Sequence, residues 1–372
     1  MFLKYLHLRQ FRNYLGQQIE FRAPKTILVG ANAQGKSNLL EAVELLSTLK
    51  SHRTNRDRDL VQTGESISQI TATLDRNSGP YDLSLTLRSN GRRTLSVNSE
   101  VIRRHLDFLG NINTVQFSSL DLDLVRGGPS TRRNWLDTVL VQLEPVYAHL
   151  WQHYQQVLKQ RNAALKHQRT HPEYSPDPQL LPLWNQQLAV IGARVIQRRQ
   201  RMLWRLAPLA QSWHERISGQ HEHLAIEYLP NVTHDPTQPD QLYGQFLSQL
   251  EDKITAEHHQ GMTLVGPHRD EVELNINETP ARQYGSQGQQ RTLVLALKLA
   301  ELTLIEEVVG DAPLLLLDDV LAELDPNRQN QLLEAIQARF QTLITTTHLG
   351  SFDASWLDSA QILQVQDGQI HR

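Results

Sequence analysis

GANAQGKS, residues 30–37, has the spacing GxxxxGK[ST], and its residue types suit phosphate chemistry. Gly30 and Gly35 let the backbone turn tightly and aim N–H groups at phosphate oxygens. A helix opening directly after them adds a partial positive charge. Lys36 can reach the β- and γ-phosphates of a nucleotide, and Ser37 can offer its hydroxyl to Mg2+. The motif has meaning only between a strand and a helix. Both are expected here: TILV at 26–29 is a short buried-strand run, and Leu39, Val43 and Leu46 share one face of a helix that follows Lys36.

Such a site needs a carboxylate for its metal. LLLLDD at 314–319 is a continuous apolar run ending in two aspartates. That is how a buried parallel strand reads, and ligands bind at the carboxyl ends of such strands. Asp318 would face Mg2+ through water, and Asp319 would orient or deprotonate the attacking water. A third segment, YGSQGQQR at 284–291, is a small-residue turn leading into a helix. Ser286 can cap that helix, Gly288 permits close backbone approach, and the helix start is a second anion site. By itself the segment is an ordinary helix start.

The elements that must position these residues fall into three stretches. In the first 100 residues, ITATL (70–74), LSLTL (83–87) and TLSVN (94–98) are separated by NSGP and SNGR, and read as antiparallel strands. From about 130 to 215 the pattern is helical and basic, interrupted by Pro172, Pro176, Pro178 and Pro182. From about 262 strands return as MTLV and VELNI, followed by a helix over about 289–307, LLLL at 314–317 and LITTT at 343–347. This alternation predicts parallel α/β structure. The wide separation of Lys36 from Asp318 requires an inserted domain, with the ATPase core closed by both ends of the chain. The expected division is 1–125, 126–259 and 260–372. The first and last pieces form one head, and the middle forms a helical arm.

Composition narrows the function classes. The 372 residues suit two domains, and 39% hydrophobic with 21% charged residues is globular. A formal net charge of −3 places any nucleic-acid contact on a local patch. There is no cysteine, which excludes disulfides, thiolate zinc sites and thiol catalysis. The first residues carry charges within their apolar stretch, unlike a signal peptide, and no apolar run approaches about 18 residues. A soluble, cytoplasmic protein without membrane contact is expected.

With these motifs together, the chain resembles the ABC/SMC ATPases. Ser286, Gln287, Gly288 and Gln289 resemble the ABC signature in its SxGQ form. AELD, with Glu323 and Asp325, resembles the D-loop, and His348 in TTTHL the switch histidine. Within that superfamily the resemblance to the RecF family spans the chain. It is carried by LRQFRNY (8–14), GANAQGKSNLLEAV (30–43), FSSLDLDLVRGGPSTRRNWLD (117–137), LKQRNAAL (158–165), VGPHRDEVEL (265–274), GSQGQQR (285–291) and LLLLDDVLAELD (314–325).

The resemblance implies an ABC-type α/β head, a P-loop core of mixed sheet and helices with an antiparallel β subdomain, and an inserted helical arm. It implies a slow, DNA-stimulated ATPase using ATP and Mg2+. The signature of one copy would cap the γ-phosphate held by another, so ATP would join two copies head to tail. It implies binding at gapped DNA and single-strand/double-strand junctions, action with RecO and RecR, RecA loading, and a place in DNA replication, repair and the SOS response. It extends the nucleotide site to Asn32 and Asn38 and to Arg12, Asn13 and Arg53, and offers Gln116 as the metal-binding Q-loop residue beside Ser37 and Asp318. Two departures from the family pattern stand out. The position after Asp318 is Asp319 where the superfamily usually has Glu, and Ser118-Ser119-Leu120-Asp121 stands where many relatives read SPED. A transporter ATPase subunit and an SMC-like tether share such a head. The basic inserted stretch and the KQRN and GPHRD segments speak against the first, and the absence of heptads against the second.

Further candidates come from the middle of the chain. Arg194, Arg198, Arg201 and Arg205 form one helical stripe, roughly 75° from the apolar stripe Ile191, Val195, Met202 and Leu206. It is a candidate DNA or partner surface, or a row of stems lying over the core edge. Lys159, Arg161 and Asn162 have no assigned role. His149 and His153 are four residues apart but lack a third ligand, so packed or solvated histidines are expected. Trp184, Trp204 and Trp213 read as packing residues.

Overall fold

A computed structural model describes residues 1–76, 79–171, 180–219, 222–235, 237–336, 339–352 and 354–371, with the side chains of Pro239, Glu323, Asn327, Ser351 and Ser355 excluded. The predicted turn at Asn77 and Ser78, and Pro172, Pro176 and Pro178, lie outside the described residues. The chain divides into two compact units. One comprises residues 1–122, 212–221 and 287–372; the other comprises 123–211 and 222–286.

The first unit holds two six-stranded sheets. One is antiparallel, in the order Tyr14–Glu20, Phe2–Phe11, Ile67–Arg76, Gly79–Arg88, Arg93–Val97, Glu100–Ile102. Its strands alternate between buried and half-buried residues, as in Ile67–Arg76, so one face is packed and the other partly open to solvent. The other sheet has the order Gln369–His371, Ala360–Gln366, Lys25–Val29, Thr342–Thr346, Leu314–Asp318, Thr114–Ser118. All its pairings are parallel except that of the terminal hairpin. Leu314–Leu317 and Thr342–Thr346 are buried throughout, which is why these strands read as unbroken runs rather than alternating ones. The phosphate-loop strand Lys25–Val29 lies between Thr342–Thr346 and Ala360–Gln366. Both of its neighbours therefore come from the end of the chain. The helix Lys36–Thr48 follows the loop with Leu39, Val43 and Leu46 buried, as the periodicity predicts.

The second unit is helical but not wholly so. Its helices include Pro129–Leu143, Val146–Thr170 and the long Leu180–Ser218, which this unit holds as far as Gln211. Leu188, Ile191 and Ile196 of that helix pack with Tyr154, Phe246 and Leu250. The unit also contains a three-stranded antiparallel sheet, Thr279–Pro280, Glu271–Ile276 and Leu224–Leu229. This corrects two expectations. The VELNI strand pairs with Leu224–Leu229 rather than with a head sheet, so the chain returns to the first unit at Gln287, not at 260. MTLV is not a strand: the Thr263 N–H and hydroxyl go to Asn162 rather than to a ladder.

Candidate functional site

Gly30 and Gly35 shape the loop between strand and helix. A Cβ on Gly30 would stand 2.3 Å from the Val365 carbonyl oxygen. Gly35 has φ 114°, and a Cβ there would meet the Asn13 amide at 2.7 Å. Neither position tolerates a larger residue without the backbone shifting. The loop is braced from outside. Asn13 Nδ2 donates to the Gln34 carbonyl (2.9 Å), Asn38 Nδ2 donates to Asn13 Oδ1 (2.8 Å), and the Tyr14 hydroxyl donates to the Gly35 carbonyl (3.0 Å). Lys36 is 4% exposed. Its ammonium donates to the carbonyls of Gly30 (2.8 Å) and Ala31 (2.9 Å), inside the loop. Asn32 is an exposed residue of that loop.

Two segments 281 residues apart in sequence meet here. Ser37 Oγ donates to Asp318 Oδ1 at 2.7 Å, and Thr345 Oγ1 donates to the same oxygen at 2.8 Å. The Thr345 hydroxyl also accepts from the Asp319 N–H at 2.8 Å. Asp319 itself is in the left-handed region, φ 54°, which turns the chain sharply off the end of the strand. Burial raises its carboxyl above the usual range; Lys36 opposes the shift and Asp318 adds to it. The hydroxyl of Ser37 and the carboxylate of Asp318 are hard oxygen donors that converge beside a phosphate-shaped loop, so they suit Mg2+. His348 is exposed just beyond the strand Thr342–Thr346, with its N–H on Thr346 Oγ1 (3.3 Å).

The flanking arginines have intramolecular partners that the sequence did not suggest. Glu41, fully buried on the phosphate-loop helix, accepts Arg12 Nε (2.9 Å) and Nη2 (2.6 Å), the Ser51 hydroxyl (2.5 Å) and Arg53 Nη1 (3.4 Å). Arg53 Nη1 also donates to Asn38 Oδ1 at 2.6 Å. Both arginines therefore brace the loop's helix through one buried carboxylate. Gln116 lies on Thr114–Ser118, two residues before the level of Asp318. In the amide orientation that satisfies both of its ends, it donates to Glu44 (3.1 and 3.2 Å) and accepts from His52 Nδ1 (3.2 Å). Its side chain is thus engaged by Glu44 and His52, not by Ser37 and Asp318. His52 Nδ1 lies 2.6 Å from Glu44. Burial pulls the imidazole down, but Glu44, Glu41 and Asp318 overcome it and leave its pKa raised.

The predicted signature segment opens the helix Gln287–Val309, with Ser286 and Gln287 exposed and Gly288 and Gln289 half-buried. Arg328, on the helix Pro326–Ile336 that follows the predicted D-loop, reaches it. Its Nη1 pairs with Asp325 and its Nε donates to Thr292 Oγ1 (2.8 Å), which itself donates to the Gly288 carbonyl (3.1 Å). Farther along the same helix, buried Lys298 pairs with Asp121 (3.0 Å) and Glu301 (3.4 Å), and Asp121 accepts the Ser118 N–H (2.7 Å). Asp121 of the FSSLD segment therefore ties the strand of Gln116 to the signature helix. Glu323 is on the turn Val320–Glu323; its side chain lies outside the described residues.

The model of the RecF/RecN/SMC N terminal domain matches residues 2–370. The DNA replication and repair protein RecF of Acaryochloris marina is 77% identical over 370 residues, covering 100% of this chain and 99% of the relative. RecF of a Cyanothece strain is 69% identical over 371 residues, covering 100% and 98%. The chain belongs to the RecF family. Among solved structures, RecF with ATP, a recombination mediator protein of the RecFOR pathway, matches at a TM-score of 0.92 and 32% identity, covering 100% of this chain and 97% of the other. An Smc head bound to the C-winged helix domain of ScpA matches at 0.58 and 15%, covering 100% and 96%, which shows a shared fold.

The two segments that single out RecF-like chains turn out to build the interior of the second unit. Arg161 of KQRN is fully buried. It donates to Glu257 (2.5 Å), Asn185 (2.8 Å) and Thr263 (2.8 Å). In GPHRD, Asp270 accepts Arg199 Nη1 (2.9 Å), the Asn231 N–H (2.8 Å) and the Tyr228 hydroxyl. Arg199, also fully buried, is shared with Asp137 (2.9 and 3.1 Å). His268 accepts the Tyr154 hydroxyl at Nδ1 (2.7 Å) and faces the Thr263 carbonyl from Nε2 (3.2 Å). Burial, first, and three nearby arginines push its pKa down to about 4. The ring is therefore neutral with its proton on Nε2. Arginines as a residue type gave no hint of this, because the same letters serve interior networks and wet surfaces. Of the predicted stripe, Arg194, Arg201 and Arg205 are exposed, and Arg198 pairs with Glu144 (2.9 Å). Trp184 and Trp213 are partly buried. Trp204, expected to pack, is 80% exposed: it projects away from the buried stripe Ile191, Val195, Met202 and Leu206.

Proposed function

We propose that the chain binds Mg-ATP at the phosphate loop, hydrolyses it slowly, and uses it to join two copies head to tail on DNA as a recombination mediator. Lys36 leaves its carbonyl cradle for the β- and γ-phosphates, and the loop N–H groups hold their oxygens. Ser37 and Asp318 hold the cation, which, when bound, neutralises charge on the phosphates. Asp319, with its raised pKa, takes the proton of the attacking water, and His348 stands by the γ-phosphate. Ser286, Gln287, Gly288 and Gln289 of one copy cap the nucleotide of the other, with Asp325 and the rest of the D-loop alongside. Gln116 joins the metal shell only after leaving Glu44 and His52. Arg12, Asn13, Asn32, Asn38 and Arg53 set the loop's shape. The surface arginines Arg194, Arg198, Arg201 and Arg205 contact DNA. The partners are gapped or junction DNA, RecR with RecO, and through them RecA; the setting is cytoplasmic.

One observation carries this reading: Ser37, Asp318 and Thr345 converge on one oxygen although they come from opposite ends of the chain. The RecF names and the RecFOR-pathway structures of the relatives support the rest. The test is sedimentation with and without ATP and gapped DNA. An ATP-dependent dimer that shifts with DNA is expected, and Lys36→Met should abolish both nucleotide binding and dimer. A chain that stays monomeric in ATP and ignores DNA would sink the reading.

A further inference from the structure

Between residues 180 and 214 the long helix contains no aspartate, glutamate or lysine, and five arginines. One of them, Arg199, turns inward to Asp137 and Asp270. The other four point outward, with Arg194, Arg201 and Arg205 exposed. Among them stands Trp204, with 80% of its surface in water. At about 100° per residue, Arg194, Arg198, Arg201, Arg205 and Trp204 fall within a band of roughly 120°, and Arg194 to Arg205 spans roughly 16 Å of helix axis. A tryptophan is normally among the most buried side chains. Here the chain leaves one in solvent, beside the exposed guanidiniums of Arg194, Arg201 and Arg205.

We propose that this face binds single-stranded nucleic acid, with Arg194, Arg201 and Arg205 on the phosphates and Trp204 stacked on a base. The inference rests on the DNA-acting reading above and sharpens it. Guanidiniums would serve a duplex or a single strand equally. Of these two, only the single strand offers the open face of an unpaired base on which an indole ring can stack. A row of like charges along one axis also asks for opposite charges at regular intervals, which a phosphate backbone supplies in any sequence. An acidic protein surface is the competing occupant.

The test measures fluorescence anisotropy of the full chain with labelled dT30 and with a 30-base-pair duplex, across a salt series. Trp204→Ala should weaken dT30 binding roughly 5- to 100-fold and leave the duplex unaffected. Trp204→Phe should keep most of the dT30 affinity. Replacing Arg194, Arg201 and Arg205 by Gln should lower the slope of log K against log salt on dT30 by about 2. An unchanged helical circular-dichroism signal and thermal transition in each variant show that the second unit, which holds this helix, is still folded. Three results overturn the proposal: dT30 binding indifferent to Trp204, equal losses on both DNAs, or a Trp204→Ala defect confined to RecR or RecO binding. If the unaltered chain binds neither DNA, the DNA-acting reading fails as well.

Discussion

Asp319 shows how one residue can be legible in type and hidden in state. The pair of aspartates after an aliphatic run announces a strand end with carboxylates. The left-handed backbone of Asp319 and its raised pKa appear only once Thr345, Lys36 and Asp318 surround it. Asp319→Asn keeps the shape and removes the base. We expect hydrolysis to fall roughly 10²- to 10⁴-fold while ATP affinity holds and the ATP-joined dimer persists; phosphate release and sedimentation would check both, and normal turnover would mean the base lies elsewhere. Glu41, Lys298, Arg161 and Arg199 were not legible, because a buried charge has the same letter as a solvated one and its partners lie far away in sequence. His268 belongs with them. Its folded pKa of about 4 lies below its ordinary 6.5, so the unfolded chain binds the extra proton. The stability His268 confers is therefore full above about pH 6.5 and is lost as pH falls towards 4, by up to about 3 kcal/mol. Thermal unfolding between pH 7 and 4 should show this loss, and His268→Gln should flatten that part of the curve.

At the scale of elements, the parallel strands and the phosphate-loop helix were readable because burial on both faces leaves unbroken apolar runs and burial on one face leaves a 3.6-residue period. The strand Leu224–Leu229 was not: only Leu224 is buried and the rest are half-buried or exposed without clean alternation, and it sits within a stretch dominated by helices. VELNI was recognised as a strand but given to the wrong unit, since a strand's own sequence does not name its neighbour. The tie between the turn after Asp319 and the signature helix is likewise tertiary. Arg328 bridges Asp325 to Thr292, and Thr292 bonds Gly288. Arg328→Ala should leave ATP affinity of the single chain within about 2-fold, because no atom of Lys36 or Ser37 depends on it. It should weaken ATP-dependent dimerisation at least 10-fold, an effect of ~1.4 kcal/mol. Equal dimerisation by the variant and the original chain would remove Arg328 from the coupling.

At the scale of the whole molecule, the nucleotide loop and the KQRN–GPHRD interior lie in different compact units, so perturbations of each should be separable. ATP at about 100 times its Kd should stabilise the first unit by about 2.7 kcal/mol. Arg161→Met strands the buried Glu257 carboxylate and should cost the second unit about 3–5 kcal/mol, with ATP affinity unchanged; scanning calorimetry with and without ATP reads both. No described helix is long and apolar enough to cross a membrane. The sheet order has a further consequence, for synthesis on the ribosome. The strand Lys25–Val29 emerges early, yet its two hydrogen-bonding neighbours are residues 342–346 and 360–366. At ~5–20 residues per second, the phosphate loop waits on the order of 15–60 s for the strands that hold it. A nascent or proteolysed chain ending before Thr342 would carry every residue of the GxxxxGK[ST] motif and still lack the strands that hold it in a nucleotide site.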